Sequence, residues 1–421
     1  MRVIHVIPSV AARTGGPAHG TLALVGALGR RGIDASVFTT DQAGPAQLGA
    51  ESMSMDLLLP AAAADCDVRL FEITRLPRLA YAPDLGRALE DEARVTDVIH
   101  IHSLFLYTTM AASQAAQSSG TPYVVTPHGS LDPWIRRSGR LRKAITHATW
   151  QARMFAAASA VQATTPEEAA WWPSYVRRRP VHVIPNGIHV AEFRDMPGGE
   201  GTRAELGIDP EVPLIVNVGR IARKKGLDIL IQAVAELHRS GIRAHVALVG
   251  PDDEGLEPRL RELAASEHVA DHVHFMGYRD GLEKMSALAA ADVWALPSHT
   301  ENFGIAVLEA LAAGCPVVVS DGVALAPQIE AANAGIVTTA TVPSTADGLR
   351  RLLLDEDLRQ RLAANGRVFA AQFDWDAVAE QMHALYEALA QSRSGRRFLH
   401  RGKTGADRAL WGQETSTQTV A

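Results

Sequence analysis

The chain has 421 residues, of which 47% are hydrophobic and 21% charged, so a wholly disordered protein is excluded and two domains are expected. A formal net charge of -6 gives no basic excess that would attract nucleic acid, and we expect no partner of that class. With two cysteines and no apolar run of about 18 residues that could span a bilayer, we expect a cytoplasmic protein without an integral membrane segment.

Short apolar runs alternate with helix-like spacers through the first half of the chain. Each run ends in turn or polar residues, as buried strands of a parallel sheet do at their ligand-facing ends. The spacers over residues 20–31 and 83–92 carry helical patterns. In chain order, the predicted strands are RVIHVIP, DASVFTT, DVIHIHS, YVVTPHG, SAVQATT and VHVIPNG.

A second series of the same kind follows RDMPGGEGTRAELGIDPEVP, a stretch rich in proline, glycine and charge. Its predicted strands are PLIVNVGR, HVALVGP, HVHFMGY, DVWALPS, CPVVVS and AGIVT. The two series predict an α/β protein with two doubly wound, Rossmann-like domains.

The composition also predicts where these domains begin and end. We expect a first domain over residues 1–190, a linker over 191–212 and a second domain over 213–375. A helical pattern over 376–391 predicts a last helix that packs back on the first domain. Residues 392–421 are polar and aperiodic, and we expect a disordered tail there.

The segment TGGPAHG follows the first predicted strand and contains Gly15 and Gly16. The G-x-G-x-x-G pattern of dinucleotide-binding proteins is absent, and a Gly-Gly pair alone also fits a flexible turn. Its position at the carboxyl end of a strand nevertheless puts it at the mouth of a cleft.

Histidines occupy or follow two strands of the first series. His128 ends the run YVVTPHG, where it could orient a substrate group, although a lone histidine is more often a structural donor. His100 and His102 alternate along one strand, but no carboxylate or cysteine accompanies them at convincing ligand spacing. We therefore interpret them as structural and expect no metal site.

Residues 134–155, WIRRSGRLRKAITHATWQARMF, combine basic, aromatic and aliphatic side chains at helical spacing. This pattern suits an interfacial helix against an anionic membrane. A solvated helix that covers the first domain explains it about as well.

The segment NVGRIARKKG carries four basic residues directly after the first strand of the second series: Arg220, Arg223, Lys224 and Lys225. Cations at a helix start oppose the helix dipole unless an anion compensates, which disfavours a merely solvated charge run. Since the carboxyl end of a strand is where ligands of α/β sheets bind, the cluster predicts a phosphate site.

The segment HTENFGIAVLEALAAGCPVVVS predicts a loop, a helix over residues 304–313 and a stop at Gly314. The first amide groups of a helix attract anions, and Asn302, Phe303 and Gly304 would supply them here. The helical rise puts Glu301 and Glu309 about 8 Å apart, suitable for holding two parts of an extended ligand. The spacing alone also allows Glu301 to be a solvated loop residue and Glu309 a cap or a surface charge.

These motifs resemble those of the family 4 retaining glycosyltransferases of the GT-B fold, and the resemblance runs over about residues 1–391. PSHTENFGIAVLEALAAGCPVVVS matches the family's E-x7-E signature, and VGRIARKKG is similar to its Gly-Arg...Lys-Gly element. PNGI and FDWDAVAEQMHALY resemble its segment before the linker and its closing helix. TGGPAHG and PHGSLDPW look like a bacterial branch that builds capsule, exopolysaccharide or lipopolysaccharide glycans.

The resemblance implies two domains that face each other across a cleft and bind a nucleotide-sugar donor. It implies catalytic roles for Glu301, His128, Arg220 and Lys225, the last two at the diphosphate. Glu309 would bind the ribose, Glu301 the transferred sugar, and the segment around Gly277 and Tyr278 would cover the base. The implied donor-binding residues are Gly15, Gly16, Arg220, Lys225, Gly277, Tyr278, Glu301, Asn302, Phe303, Gly304 and Glu309.

The resemblance also implies transfer with retention at the anomeric carbon, to a glycan or lipid-linked acceptor, without a metal or other cofactor. Same-face attack is the favoured route, because the sequence offers no clear nucleophile on the acceptor side. Two alternatives stay open: a nucleotide-sugar 2-epimerase of the GT-B type, and a non-catalytic scaffold that binds nucleotide sugars.

Overall fold

The computed structural model describes residues 1–11, 15–42, 66–136 and 140–401. Seven parallel strands form the first sheet, in the order β3-β2-β1-β4-β5-β6-β7. They are β1 (Arg2–Val6), β2 (Asp34–Thr40), β3 (Asp67–Phe71), β4 (Val98–His102), β5 (Tyr123–Thr126), β6 (Ala160–Ala163) and β7 (Val181–Val183).

Helices cover both faces of this sheet, because its central strands are apolar on both sides. Helices described in this region are α1 (Gly16–Arg30), α2 (Pro83–Glu92), α3 (Tyr107–Ser119), α4 (Pro133–Arg136), α5 (Arg140–Thr146), α6 (Ala152–Ala157), α7 (Pro166–Trp171) and α8 (Ser174–Arg177). A short π-helical stretch, His147–Gln151, joins α5 to α6.

The second sheet repeats the first arrangement with six parallel strands in the order β10-β9-β8-β11-β12-β13. They are β8 (Leu214–Val218), β9 (His245–Val249), β10 (Val273–Gly277), β11 (Val293–Leu296), β12 (Val317–Ser320) and β13 (Gly335–Thr338). In both sheets the strand order reverses beside the first strand of the series, and this switch point leaves a crevice at the strands' carboxyl ends.

The remaining helices are α9 (Glu200–Leu206), α10 (Leu227–Arg239), α11 (Glu257–Ser266), α12 (Gly281–Ala289), α13 (Ile305–Ala313), α14 (Ala326–Ala331), α15 (Val342–Leu354), α16 (Glu356–Ala370) and α17 (Trp375–Arg401). Helix α17 packs on α1 and on the first sheet, where Trp375, Met382 and Tyr386 are buried against Val3 and Leu28.

The predicted fold, two doubly wound α/β units, is confirmed. One strand was missed: β3 is an edge strand whose residues are only partly buried, so it lacks the continuous apolar run of the others. The last helix continues to Arg401, so residues 392–401 are helical and not part of a tail. Residues 402–421 lie outside the described residues. The predicted linker contains a helix of its own, α9.

Candidate functional site

Two loops of the second domain meet at the switch point between β8 and β11. The first follows β8 and forms a short 3-10 turn, Arg223–Lys225, before α10. The second follows β11 and leads into α13. Backbone bonds hold the second loop in place: the His299 amide donates to the Lys224 carbonyl, and the Glu301 amide donates to the Gly322 carbonyl, both at 2.8 Å.

Helix α13 begins as predicted, and its first turn offers unpaired donors. Gly304 precedes it with φ 92° and ψ 56°, a left-handed conformation that glycine adopts without the steric cost of a side chain. Within the described parts of the chain, the amides of Asn302, Phe303 and Gly304 donate no hydrogen bond. Phe303 is 3% exposed and anchors the loop in the core, so its contribution to a ligand would come from its backbone.

The carboxylate of Glu301 lies against two ammonium groups from the first loop. Its oxygens are 2.5 Å from Lys225 Nζ and 3.4 Å from Lys224 Nζ. The side chains of Glu301 and Lys225 are 12% and 11% exposed. This cluster of two cations and one anion keeps a surplus positive charge at the start of α13, which suits an anionic ligand.

Burial and pairing act on these groups in opposite directions. Burial would raise the pKa of the Glu301 carboxyl, but the charges and hydrogen bonds of Lys224 and Lys225 outweigh it and lower that pKa to about 2. For Lys225, burial lowers the pKa, and Glu301 offsets this only in part because Lys224 and Arg220 repel its charge. Glu301 is therefore held ionised at neutral pH.

The second glutamate has a different partner. Glu309 lies in the second turn of α13, and Lys284 of α12 donates to its Oε1 at 2.8 Å. Burial lowers the pKa of Lys284, but the charges of Glu309 and Glu192 outweigh burial, so the pKa is raised. Tyr278 lies next to this pair at the end of β10, is 49% exposed and directs its hydroxyl at Asp280.

The first domain meets the second at Gly15 and Gly16, as the sequence predicts for the mouth of a cleft. A Cβ placed on Gly15 would lie 3.7 Å from Arg220 Nε, and one on Gly16 would lie 3.3 Å from Ile305 Cδ1. The Arg220 guanidinium also faces Asp253, at 3.4 Å. The start of α1 therefore lies against Arg220, in the loop after β8, and against the start of α13.

His128 and Gly129 form a turn after β5, both with positive φ, 49° and 73°. A Cβ on Gly129 would come within 2.9 Å of Asn302 Cβ, so glycine is needed for this approach of the two domains. Asn302 Nδ2 donates to Thr164 Oγ1 at 3.2 Å. The Asn302 carbonyl oxygen, Oδ1, is buried and accepts no hydrogen bond from the described residues.

A buried carboxylate supports this turn from below. Glu168 accepts hydrogen bonds from the amides of Gly129 and Thr164 and from the Thr164 hydroxyl. Burial raises the pKa of Glu168, and these hydrogen bonds oppose burial only in part. Because the Thr164 hydroxyl donates to Glu168, its oxygen is free to accept from Asn302.

Sequence reasoning missed the contacts across the cleft. The Thr300 hydroxyl donates to Asp132 Oδ2 at 2.5 Å, and the rings of His299 and Trp134 stack at 5.7 Å with 4° between their planes. Each pair joins residues far apart in the chain, and no periodicity links them. Together the contacts hold the loop that carries Glu301 against the first domain.

Parts of the predicted membrane-facing segment lie outside the described residues. Of those described, Trp134 is 44% and Ile145 55% exposed. No described helix is both long and apolar enough to cross a membrane.

Two family models match the chain, one to each half. Residues 15–187 match the glycosyl transferase 4-like domain, and residues 200–369 match the glycosyl transferases group 1. The D-inositol 3-phosphate glycosyltransferase of Acidothermus cellulolyticus is 31% identical over 311 residues, which are 71% of this chain and 68% of that protein. The enzyme of the same name from Corynebacterium jeikeium is 37% identical over 220 residues, but the match spans only about half of each, 50% of this chain and 52% of that protein.

Solved structures share the fold over nearly the whole chain. Sucrose-phosphate synthase from Thermosynechococcus elongatus aligns with TM-score 0.72 at 23% identity and covers 93% of this chain and 100% of its own. Anabaena Alr3699/HepE, solved in complex with UDP-glucose, aligns with TM-score 0.70 at 20% identity and covers 94% and 100%. With both halves matched and relatives above 30% identity, the chain belongs to the family 4 glycosyltransferases of the GT-B fold.

Proposed function

We propose that this protein transfers a sugar from a nucleoside-diphosphate sugar to an acceptor, with retention of the anomeric configuration. The observation that carries the proposal is the meeting of three elements at one point of the cleft. Arg220 and Lys225 lie on the loop after β8, the unpaired amides precede α13, and Gly15 precedes α1. A diphosphate needs such a convergence of cations, amide donors and close backbone.

Arg220 and Lys225 would bind the diphosphate and neutralise the charge that develops on the leaving group. Lys225 is held in place by Glu301, so its position is fixed before the donor arrives. We propose that these side chains supply the positive charge without a metal ion. Addition of a chelator such as EDTA should then leave the rate unchanged.

The pair Glu309 and Lys284 would hold the nucleoside. A carboxylate accepts hydrogen bonds from two vicinal hydroxyl groups, as the ribose offers. The exposed ring of Tyr278, close to Lys284, would lie at the base. This assignment keeps the net charge of the nucleoside end close to zero, in contrast to the diphosphate end.

The transferred sugar would lie between Glu301, Asn302 and His128. The buried Oδ1 of Asn302 lacks a partner among the described residues, and a sugar hydroxyl would satisfy it. Its orientation is fixed, because the amide nitrogen is already bonded to Thr164. Glu301 would accept a second sugar hydroxyl while it remains paired with lysine.

Retention by same-face attack is supported by the engagement of the nearby carboxylates. Glu301 is paired with two lysines, Asp132 with the Thr300 hydroxyl, and Glu168 with the turn at Gly129. A covalent intermediate would need one of them as a nucleophile. In the same-face route the donor phosphate accepts the acceptor's proton. Proton NMR of the first product should show the anomeric configuration of the donor, and an inverted product would refute the proposal.

For the acceptor, we propose a glycan or lipid-linked sugar of bacterial exopolysaccharide, capsule or lipopolysaccharide synthesis. A second candidate is D-inositol 3-phosphate, which the names of the relatives favour at up to 37% identity. A panel of nucleotide sugars, assayed for nucleoside-diphosphate release with a membrane lipid extract or with D-inositol 3-phosphate, separates the two. If neither acceptor gives nucleoside-diphosphate release and the donor is converted to its epimer, the protein would be a 2-epimerase. If the donor binds and is not converted at all, the protein would be a scaffold.

Contact with an anionic membrane fits a lipid-linked acceptor. The described side chains Trp134 and Ile145 of the 134–155 segment are exposed and would contact the lipid. Flotation with phosphatidylglycerol vesicles should recover the protein with the lipid, and Ile145→Glu should weaken that binding. Absence of wild-type protein from the vesicle fraction would contradict this contact.

A further inference from the structure

A row of histidines lines the carboxyl ends of three central strands of the first sheet. His5 of β1 and His100 of β4 are direct neighbours in the strand register, His102 lies two residues further along β4, and His128 follows β5. The first three are at most 2% exposed, and Tyr386 of α17 packs against His5 and His100. Histidine in such apolar surroundings needs partners for its ring nitrogens.

Every buried ring nitrogen of this row has a partner in one unbranched series of contacts. We call the series the histidine chain; in order, its members are His128, His102, His5, Tyr386, His100, Thr126 and Gln162. From the cleft inward, His128 Nε2 meets His102 Nδ1 at 2.8 Å, His102 Nε2 meets His5 Nδ1 at 3.0 Å, and His5 Nε2 meets Tyr386 Oη at 3.4 Å.

The far end of the histidine chain determines the direction of its hydrogen bonds. Gln162 Nε2 donates to the Ile184 carbonyl at 2.8 Å, so its Oε1 faces Thr126 and accepts the threonine's proton at 2.7 Å. Thr126 must then accept from His100 Nε2, at 2.6 Å. A neutral imidazole carries one proton, so His100 Nδ1 accepts from the Tyr386 hydroxyl, also at 2.6 Å.

The same logic continues to the cleft. With its proton given to His100, Tyr386 accepts from His5 Nε2, and His5 Nδ1 accepts from His102 Nε2. His102 Nδ1 accepts in turn from His128 Nε2. His128 therefore keeps its proton on Nε2 and presents a lone pair at Nδ1. Within the described residues, Nδ1 of His128 makes no hydrogen bond.

All four rings are neutral at pH 7, as this logic requires. Burial lowers the pKa of His5 to about 3 and that of His128 to about 4. Burial, together with the neighbouring histidines, lowers the pKa of His100 and His102 well below the usual range. A doubly protonated imidazole would place two N–H donors opposite each other within the histidine chain.

A metal ion is the main competing use of these residues. His5, His100 and His102 offer ligand atoms that all lie within 4.8 Å of one another. Each of their nitrogens, however, already has a partner in the histidine chain, and Tyr386 and Thr126 would lose theirs if a metal bound. The closed set of hydrogen bonds therefore favours a chain without metal.

We propose that the histidine chain locks the tautomer of His128, so that Nδ1 is a hydrogen-bond acceptor at the cleft, and that Tyr386 is the positioning residue that passes the direction set at Gln162 on to the histidines next to the cleft. The catalytic meaning rests on the proposed function: Nδ1 would accept a hydrogen bond from a hydroxyl of the donor sugar or acceptor. The last helix, remote in sequence, would thereby act on the reacting groups through two other histidines.

Long-range proton–nitrogen NMR spectra of histidine-labelled wild-type protein test the lock without any substrate. We expect His128 to show a protonated Nε2 and an unprotonated Nδ1, with its signals identified by their loss in His128→Gln. A proton on Nδ1, or an even mixture, would overturn the proposal. Elemental analysis of the purified protein provides a second test. A stoichiometric metal that remains bound in Tyr386→Phe and is lost in His5→Asn would also overturn the proposal.

Tyr386→Phe has a matched control in Tyr123→Phe. Tyr123 is another buried tyrosine, whose hydroxyl donates to the Met154 carbonyl outside the histidine chain. We expect Tyr386→Phe to mix the two tautomers of His128 and to lower kcat roughly tenfold, the scale of one lost hydrogen bond. Tyr123→Phe should retain one tautomer and the wild-type kcat. Equal His128 spectra for both variants would refute the tautomer lock. A single His128 tautomer in a wild-type protein that has no transferase activity would refute only the proposed function.

Discussion

Glu301 and Glu309 lie in one short segment, and each is paired with lysine, yet the two pairs differ in charge. Glu301 contacts Lys224 and Lys225, a cluster with one surplus positive charge. Glu309 contacts Lys284 alone, which gives a neutral pair. Their exposed fractions differ little, 12% against 19%, so the number of cations and not burial separates them.

This difference indicates which part of a ligand each glutamate could hold. A surplus of positive charge in a partly desolvated crevice attracts phosphate and resists protonation of its carboxylate. A neutral pair leaves lone pairs for hydroxyl groups without attracting an anion. The site therefore has a charged end at the start of α13 and a neutral end at its second turn, and variants at the two ends should differ in kind.

The largest expected effect is at the charged end. Lys225→Ala removes the buried cation from the proposed diphosphate site, and we expect kcat to fall roughly 10²–10³-fold, as for loss of one preorganised charge-stabilising donor. Lys224→Ala is the matched control, because this neighbour is further from Glu301 and should cost much less. Steady-state release of nucleoside diphosphate measures both, and equal losses would contradict the distinction between the two lysines.

The next effect is on stability and separates the two glutamates directly. Glu301→Gln leaves two lysines without their anion, and we expect the free energy of unfolding to fall by about 3 kcal/mol. For Glu309→Gln, with one partly exposed pair, we expect about 1 kcal/mol. Urea unfolding at pH 7 measures both variants. A larger loss for Glu309→Gln would show that the number of cations is not what stabilises the segment.

The same two variants should differ in their pH dependence. The folded pKa of Glu301 is about 2 against an ordinary 4.5, so its stabilising contribution is complete above pH 4.5 and is lost as pH falls towards 2. The stability difference between wild type and Glu301→Gln should shrink across that window.

The pH dependence of activity should also differ between the two variants. Loss of the Glu301 charge should lower the pKa of Lys225 further and move the alkaline limb of kcat/KM to lower pH. Glu309→Gln should leave that limb in place.

Sequence could predict the segment that carries both glutamates, but not the difference between them. The apolar run of β11, the loop and Gly314 predict the local structure, because strand burial and helix ends depend on nearby residues. The pairing of Glu309 with Lys284 depends on how α12 packs beside α13. His5 and Tyr386 were missed for the same reason: their contact joins the first strand to the last helix, and a single histidine in a strand gives no sign of its partners.

At the neutral end we expect a change in binding rather than in turnover. If Glu309 binds the ribose as proposed, Glu309→Gln would weaken these charge-assisted hydrogen bonds, so KM for the donor should rise about tenfold while kcat stays close to wild type. Glu309→Asp retains the charge at a shorter reach and should recover part of the affinity. Initial rates over a range of donor concentration separate KM from kcat. A fall in kcat with unchanged KM would mean that Glu309 acts on the transition state instead.

The smallest effect is expected at the contact that ties the charged end to the first domain. Thr300→Val removes the hydroxyl that donates to Asp132 but keeps the shape of the side chain. If this bond helps to hold the loop of Glu301 against the cleft, its loss should reduce kcat/KM about fivefold, equivalent to about 1 kcal/mol. Thr300→Ser keeps the hydroxyl and should stay near wild type.

Because Glu309 lies on α13 and contacts α12, the KM effect of Glu309→Gln should add to that of Thr300→Val in the double variant. A non-additive double variant would show that the two ends of the site are coupled and that the comparison between them breaks down.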